Sequence, residues 1–229
     1  MAENTGSKKL VIAIDGVVGA GKSATARGAA RTLGYRHLDT GSMYRAFALA
    51  ATRRDIQPNQ SEALAQLLDE LRLMLELERG VCRVYLDGED VTEPIRDPAV
   101  SRRVGDYADV PLVRQALVER QRQLGAAGGV VADGRDVGAV IFPDADLKIY
   151  MTADLEERTR RRHAELVAKG EKVTPSEVRT DIEERDRQDQ ERDYGGEIDR
   201  REVVVLDTTG LTLEEQIERV VTLARERGG

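Results

Sequence analysis

The chain has 229 residues, 40% hydrophobic and 34% charged, with 42 acidic side chains against 35 basic ones and a formal net charge of −7. Its length suits one domain with a substantial core, and its acidic balance argues against nucleic acid as the main partner. No apolar run approaches the roughly 18 residues of a membrane span, and the polar segment 1–9 lacks the apolar stretch of a secretory signal. The single cysteine, Cys82, has no partner for an internal disulfide, and the two histidines, His37 and His163, lie too far apart to suggest a zinc site. A cytoplasmic protein with no membrane partner, monomeric by default, is expected.

The apolar run 10–14 reads as a buried strand, and 24–32 is rich in helix formers. Between them, Gly16-Val17-Val18-Gly19-Ala20-Gly21-Lys22-Ser23 fits G-x-x-x-x-G-K-[ST]. The glycines let successive backbone N–H groups turn inward, and the helix that follows adds its positive end, so the turn is built to hold phosphates. A nucleoside triphosphate is therefore expected on Gly16, Val17, Val18, Gly19, Ala20, Gly21, Lys22, Ser23 and Ala24. Lys22 would reach the β- and γ-phosphates, and the Ser23 hydroxyl would ligate Mg²⁺.

Further along, 35–38 reads as a strand, Asp39-Thr40-Gly41 leads into a helix over 42–53, and 61–70 is helical by its Leu/Ala spacing. The period then changes: 72–77 and 82–86 alternate, with turn signals at Glu78-Arg79-Gly80 and Asp87-Gly88 before Val91, which predicts an inserted antiparallel meander. Helix is expected over 97–124 with an interruption at Pro111. Strands follow at 129–134, 147–151 and 203–207, and a last helix at 213–227. Alternating strands and helices predict an α/β fold, a central parallel sheet flanked by helices with ligands at the strands' carboxyl ends.

That rule selects Asp133-Gly134-Arg135-Asp136, directly after an apolar strand. Asp133 is placed to orient Mg²⁺ through its water shell, although a turn or cap role is open to it. Arg135 and Asp136 belong to a ligand site or to a surface ion pair. A second constellation follows Asp154, which with Glu157 resembles a capping box opening a helix over 155–168 that carries Arg158, Arg160, Arg161 and Arg162. Thr174-Pro175-Ser176-Glu177 starts another helix. On it Val178, Ile182, Arg185, Asp189 and Arg192 share one face, while Glu183, Glu184 and Arg187 face water. Two charged helices with little core of their own suggest a lid that closes over phosphates. So many guanidinium groups suit the transfer of a phosphoryl group between two polyanions, whose mutual repulsion they offset.

Several segments together resemble the bacterial cytidylate kinases (CMP/dCMP kinases), nucleoside-monophosphate kinases of the P-loop family, nearly end to end. They are Ile14-Asp15-Gly16 through Ser23, Leu38-Asp39-Thr40-Gly41-Ser42-Met43-Tyr44-Arg45, Gly88-Glu89-Asp90-Val91-Thr92 with Ile95-Arg96, Ala132-Asp133-Gly134-Arg135-Asp136-Val137-Gly138, Phe142-Pro143-Asp144-Ala145, and Glu184-Arg185-Asp186 onward. The resemblance implies one kinase domain over 1–229, an inserted nucleoside-monophosphate-binding subdomain at 61–100 and a helical lid at 154–194. It implies ATP with Mg²⁺ as phosphoryl donor and CMP or dCMP as acceptor. Lys22, Arg135, Arg158, Arg161, Arg162 and Arg192 would be catalytic. Arg45, Arg135 and Arg192 would hold the acceptor phosphate, with Tyr44 beside them. Thr40, Arg114 and Asp136 would read the cytosine, and Arg185 and Asp189 the sugar hydroxyls.

Two positions depart from the family pattern: Val17-Val18 stands where Pro-Ser is usual, and Gly105 where a small hydroxyl residue lies near the base. A P-loop kinase acting on UMP or on a non-nucleotide metabolite is the alternative. A nucleotide-triggered switch would carry a guanine-specifying N-K-x-D motif, which this sequence lacks.

Overall fold

A computed structural model describes residues 9–78, 81–191 and 202–229. The chain enters the apolar strand β1 (Val11–Gly16), turns through the Gly-rich loop and starts α1 (Lys22–Leu33). β2 (Arg36–Asp39) runs directly into α2 (Thr40–Arg53), and α3 (Ser61–Glu70) precedes the hairpin β3 (Leu73–Glu78) and β4 (Val81–Leu86) with the short β5 (Glu89–Asp90). A 3-10 turn (Pro94–Arg96), α4 (Pro98–Ala108) and α5 (Pro111–Gly125) lead back to β6 (Val130–Asp133). Then come a π-helical segment (Val137–Ile141), β7 (Leu147–Thr152), α6 (Leu155–Ala168), α7 (Pro175–Glu191), β8 (Val203–Asp207) and α8 (Leu213–Arg225).

Five strands form one parallel sheet in the order β2-β6-β1-β7-β8, and β3-β4-β5 form a separate antiparallel sheet. Because side chains alternate across a strand, β1 feeds two cores. Ile12 and Ile14 pack with Ala26, Ala29 and Ala30 of α1 and Val220 and Val221 of α8. Ala13 joins Leu38, Phe47, Leu117, Val130 and Ala132 on the opposite face, which α2, α4 and α5 cover. In that second core Phe47 meets the edge of Tyr107, with ring centroids 6.0 Å apart. The expected parallel sheet with helices on both faces and an antiparallel β unit is thus present.

Local chemistry sets the element ends. α2 starts at Thr40, earlier than its apolar pattern suggests, because the Asp39 carboxylate accepts the Ser42 N–H at 3.0 Å and caps it. The helix expected over 97–124 breaks at Pro111 as expected into two helices, each beginning on a proline, since Pro111 has no N–H to continue α4 but suits a first turn. Asp154 caps α6 by accepting from Glu157 N at 2.7 Å. Thr174 and Glu177 at the start of α7 exchange side chain-to-backbone bonds in both directions. The π-helical segment has no counterpart in the expected elements. The α6–α7 pair rests on the loop after β1 through a small apolar cluster of Val18, Val178 and Ile182, with Leu155, Leu166 and Val173 against it. Among the described residues no helix is long and apolar enough to cross a membrane.

Candidate active site

Parallel pairing brings the strand ends together: Ile14 and Asp39 both lie beside Asp133, and Gly16 beside Met151. The loop leaving β1 uses three glycines at positive φ, Gly16 (143°), Gly19 (79°) and Gly21 (93°). At Gly16 the requirement is double, since a Cβ there would run into the Met151 carbonyl, and Val17 N donates to that same carbonyl at 3.2 Å. α1 begins at Lys22, and Gly21 before it has no side chain to cap the helix, so its first N–H groups remain available to an anion.

Lys22 folds back over the loop, its Nζ donating to Gly16 O at 2.7 Å and Val17 O at 2.8 Å. Burial, reinforced by the Arg135 charge, brings its ammonium down to about 7. The Ser23 hydroxyl donates to Asp133 Oδ2 at 2.5 Å, and His37 Nε2 lies 2.7 Å from Asp133 Oδ1. Burial works against the Asp133 charge, yet the bonds from His37 and Ser23 hold it below the usual carboxylate range. Thr40 Oγ1 donates to Asp133 O at 2.8 Å, and Gln121 Nε2 reaches Thr40 O at 3.3 Å.

A hydroxyl and an ionised carboxylate side by side are hard oxygen donors of the kind Mg²⁺ takes. Among the described residues no group of three or more His, Cys, Asp or Glu could cage a metal. The donor set fits a cation that arrives with a phosphate ligand and keeps most of its waters.

On the other side of β6, Asp136 is ion-paired with Arg114 from α5. Burial raises the Asp136 pKa, and Arg114 opposes that rise. Arg135 is paired with Asp189 of α7. Arg45 Nη2 lies 2.8 Å from Asp39 Oδ2, and among the described residues its buried Nε has no acceptor. Tyr44 is partly buried against the core under α2. Arg158, 8% exposed, donates to Ala153 O, Val18 O and Asp186 Oδ2 at 3.0, 3.2 and 2.6 Å, fastening α6 to both the loop and α7. Arg161 is held by Glu157 and by the carbonyls of Thr208 and Leu211, in the loop before α8. Arg162 pairs with Glu165 at 2.8 Å, and Arg185 stands 3.9 Å from Asp181. Arg185 and Asp189 are half-buried, whereas Glu183, Glu184 and Arg187 are exposed as expected from their helix face. Arg192 lies outside the described residues, as do Arg79 and Gly80 of the expected turn.

Other polar residues at this site also carried no expected role. Asp15, 2% exposed, accepts Val137 N and Gly138 N; His37 holds Asp133; Asp186 receives Arg158; and Gln216 of α8 accepts the Thr25 hydroxyl at 2.9 Å. Asp15 and Asp186 stand within the segments that carry the family resemblance, and Asp186 lies four residues beyond the inward-facing Ile182.

The cytidylate kinase family model matches residues 12–226. A cytidylate kinase from Desulfitobacterium hafniense is 47% identical over 220 residues, covering 96% of this chain and 94% of its own length. One from Symbiobacterium thermophilum is 47% identical over 223 residues, covering 96% and 98%. Among solved structures, an uncharacterized protein from Eubacterium ventriosum aligns with a TM-score of 0.52 at 14% identity over 96% of this chain and 99% of its own, a likeness of fold alone. With a family match over nearly its whole length, this chain belongs to the cytidylate kinase family.

Proposed function

We propose that this protein transfers the γ-phosphoryl group of ATP to CMP or dCMP, releasing ADP and CDP or dCDP. A phosphate oxygen of the acceptor attacks the γ-phosphorus, the new P–O bond forms as the bond to the β-γ bridging oxygen breaks, and ADP takes the electron pair. No protein nucleophile is required, so the work of the chain is positioning and charge.

The observation that carries this reading is the run Asp133 to Asp136. Its first residue touches Ser23 of the phosphate loop, and the last two pair with Arg114 and with Asp189 of α7. Donor and acceptor elements thus share one short segment. On this reading residues 16–24 hold ATP, Lys22 bridges its outer phosphates, and Ser23, with Asp133 through water, holds Mg²⁺, which supplies charge neutralisation. Arg45 and Arg135 take the acceptor phosphate together with Arg192. Thr40, Arg114 and Asp136 read the base, and Tyr44 stands with the acceptor-phosphate arginines. Arg185 and Asp189 take the sugar hydroxyls. Arg158, Arg161 and Arg162 serve a lid formed by 154–194, the Arg161 guanidinium being held on the Thr208 and Leu211 carbonyls. The antiparallel unit within 61–100 is the acceptor-side subdomain.

A carboxylate accepts from the exocyclic amine of cytosine, and uracil would set a carbonyl against it. The test is ADP release with CMP, dCMP, UMP, AMP and shikimate as acceptors. Strong preference for CMP and dCMP is expected, and acceptor-independent ADP release would refute transfer. Asp136→Asn should lower the CMP-over-UMP preference by roughly ten- to hundredfold while leaving ATP binding in place; equal losses for both acceptors would remove Asp136 from base recognition.

A further inference from the structure

We propose that Asp15 is a positioning residue for the acceptor site, its carboxylate fixing the backbone that carries Arg135 and Asp136. Asp15 sits at the end of β1, one residue before the phosphate loop, and is 2% exposed. Its Oδ1 accepts the Val137 N–H and its Oδ2 the Gly138 N–H, each at 2.8 Å. These are the first two N–H groups of the π-helical segment, whose own N-terminal residue Asp136 supplies no side-chain cap. Helix-start N–H groups have no partner within the helix. Asp15 provides both acceptors from another strand, 122 and 123 residues away.

The chemistry demands a carboxylate. Two diverging N–H donors need two acceptor oxygens, and an asparagine would turn one of those oxygens into an NH₂ facing an N–H. Burial pushes the Asp15 carboxyl up to about 6, and the two N–H donors work against that rise, so the ionised form prevails at neutral pH. A Cβ built on Gly138 would lie 3.4 Å from Asp15 Oδ2 and 3.4 Å from the Lys148 stem, so the bare backbone is set close against the carboxylate without crowding.

The consequence falls on one substrate. Residues 135 and 136 immediately precede the two clamped amides, so the direction in which Arg135 and Asp136 leave the backbone is set there. The phosphate loop has anchors of its own, Val17 N on Met151 O and the Arg158 guanidinium on Val18 O, each at 3.2 Å. Losing the Asp15 clamp should therefore loosen the acceptor side and spare the donor side.

This inference rests on the reading of Arg135 and Asp136 as acceptor groups, and the experiment separates the two. Steady-state kinetics of Asp15→Asn should show the KM for CMP raised between about ten- and a hundredfold and the CMP-over-UMP preference lowered, with the KM for ATP within about twofold of wild type. An unchanged KM for CMP, or a KM for ATP that rises as much, overturns the proposal. Asp136→Asn is run beside it. If Asp136→Asn leaves base preference intact, the acceptor-site reading itself fails; if it alters preference and Asp15→Asn does not, only the role of Asp15 fails. Should Asp15→Asn not fold, amide exchange in the wild-type enzyme decides. Val137 and Gly138 amides should be protected in the free protein and slow further when CMP is added, and free exchange or indifference to CMP overturns the proposal.

Discussion

Replacing Val18 by alanine tests what keeps the α6–α7 pair seated on the phosphate loop. Val18 is 5% exposed and packs on Val178 and Ile182 of α7, in a cluster separate from both cores of the central sheet. Alanine removes both methyl groups, and at about 0.8 kcal/mol for each buried methylene-sized group the seated form loses roughly 1.6 kcal/mol. Since about 1.4 kcal/mol is a factor of ten, the population with α7 lifted from the loop rises roughly tenfold. The polar tethers, Arg158 to Asp186 and to Val18 O, and Arg135 to Asp189, are left in place. Native-state amide exchange reads this directly, because local opening is reported segment by segment. Amides in the middle of α7 should exchange roughly tenfold faster, with β1 and β6 unchanged. Unchanged α7 exchange would show that the apolar contact contributes nothing to seating, and uniform acceleration would show that Val18 belongs to the global core.

Gly16→Ala should be far more damaging, because a Cβ at φ 143° meets the Met151 carbonyl. A loss of about 3 kcal/mol or more, or roughly 10 °C in Tm, is expected together with weakened ATP binding, and a wild-type melting curve would contradict it. Stability should also carry a signature of Asp15, whose pKa rises from 3.8 in the unfolded chain to about 6 in the fold. Between those values the native protein holds a proton that the unfolded chain has lost. This group's contribution is therefore present below about pH 4 and lost as pH rises through about 6, a change on the order of 3 kcal/mol. Urea unfolding of wild type and Asp15→Asn across that range should give a difference that falls with rising pH, and parallel profiles would place the Asp15 pKa near that of a solvated carboxylate.

What was legible in the sequence is what short-range rules dictate. The glycines of the phosphate loop, the strand ending at Asp133 and the capping residues Asp154 and Thr174 act on neighbours a few residues away. The α7 face was legible too, since Val178, Ile182 and Asp189 recur at helical spacing. Their partner was not: Val18 looked like an incidental departure in the loop, and only folding sets it against Val178 and Ile182. The roles of Asp15 and His37 were silent for the same reason. Each is a lone polar residue in a short strand whose partner, a backbone N–H or the Asp133 carboxylate, lies about a hundred residues away. The Val137–Ile141 segment spans five residues, too few for any period to register.

The cations of the candidate site have oxygen partners within the chain: Lys22 on two main-chain carbonyls, Arg135 on Asp189, Arg158 on Asp186, Arg45 on Asp39. On the proposed reading, phosphates compete with these partners for the same cations, and association becomes an exchange of one anion for another. Such a cleft discriminates by the shape and charge density of the newcomer. It also tempers affinity, which favours turnover in an enzyme whose product must leave as readily as its substrate enters.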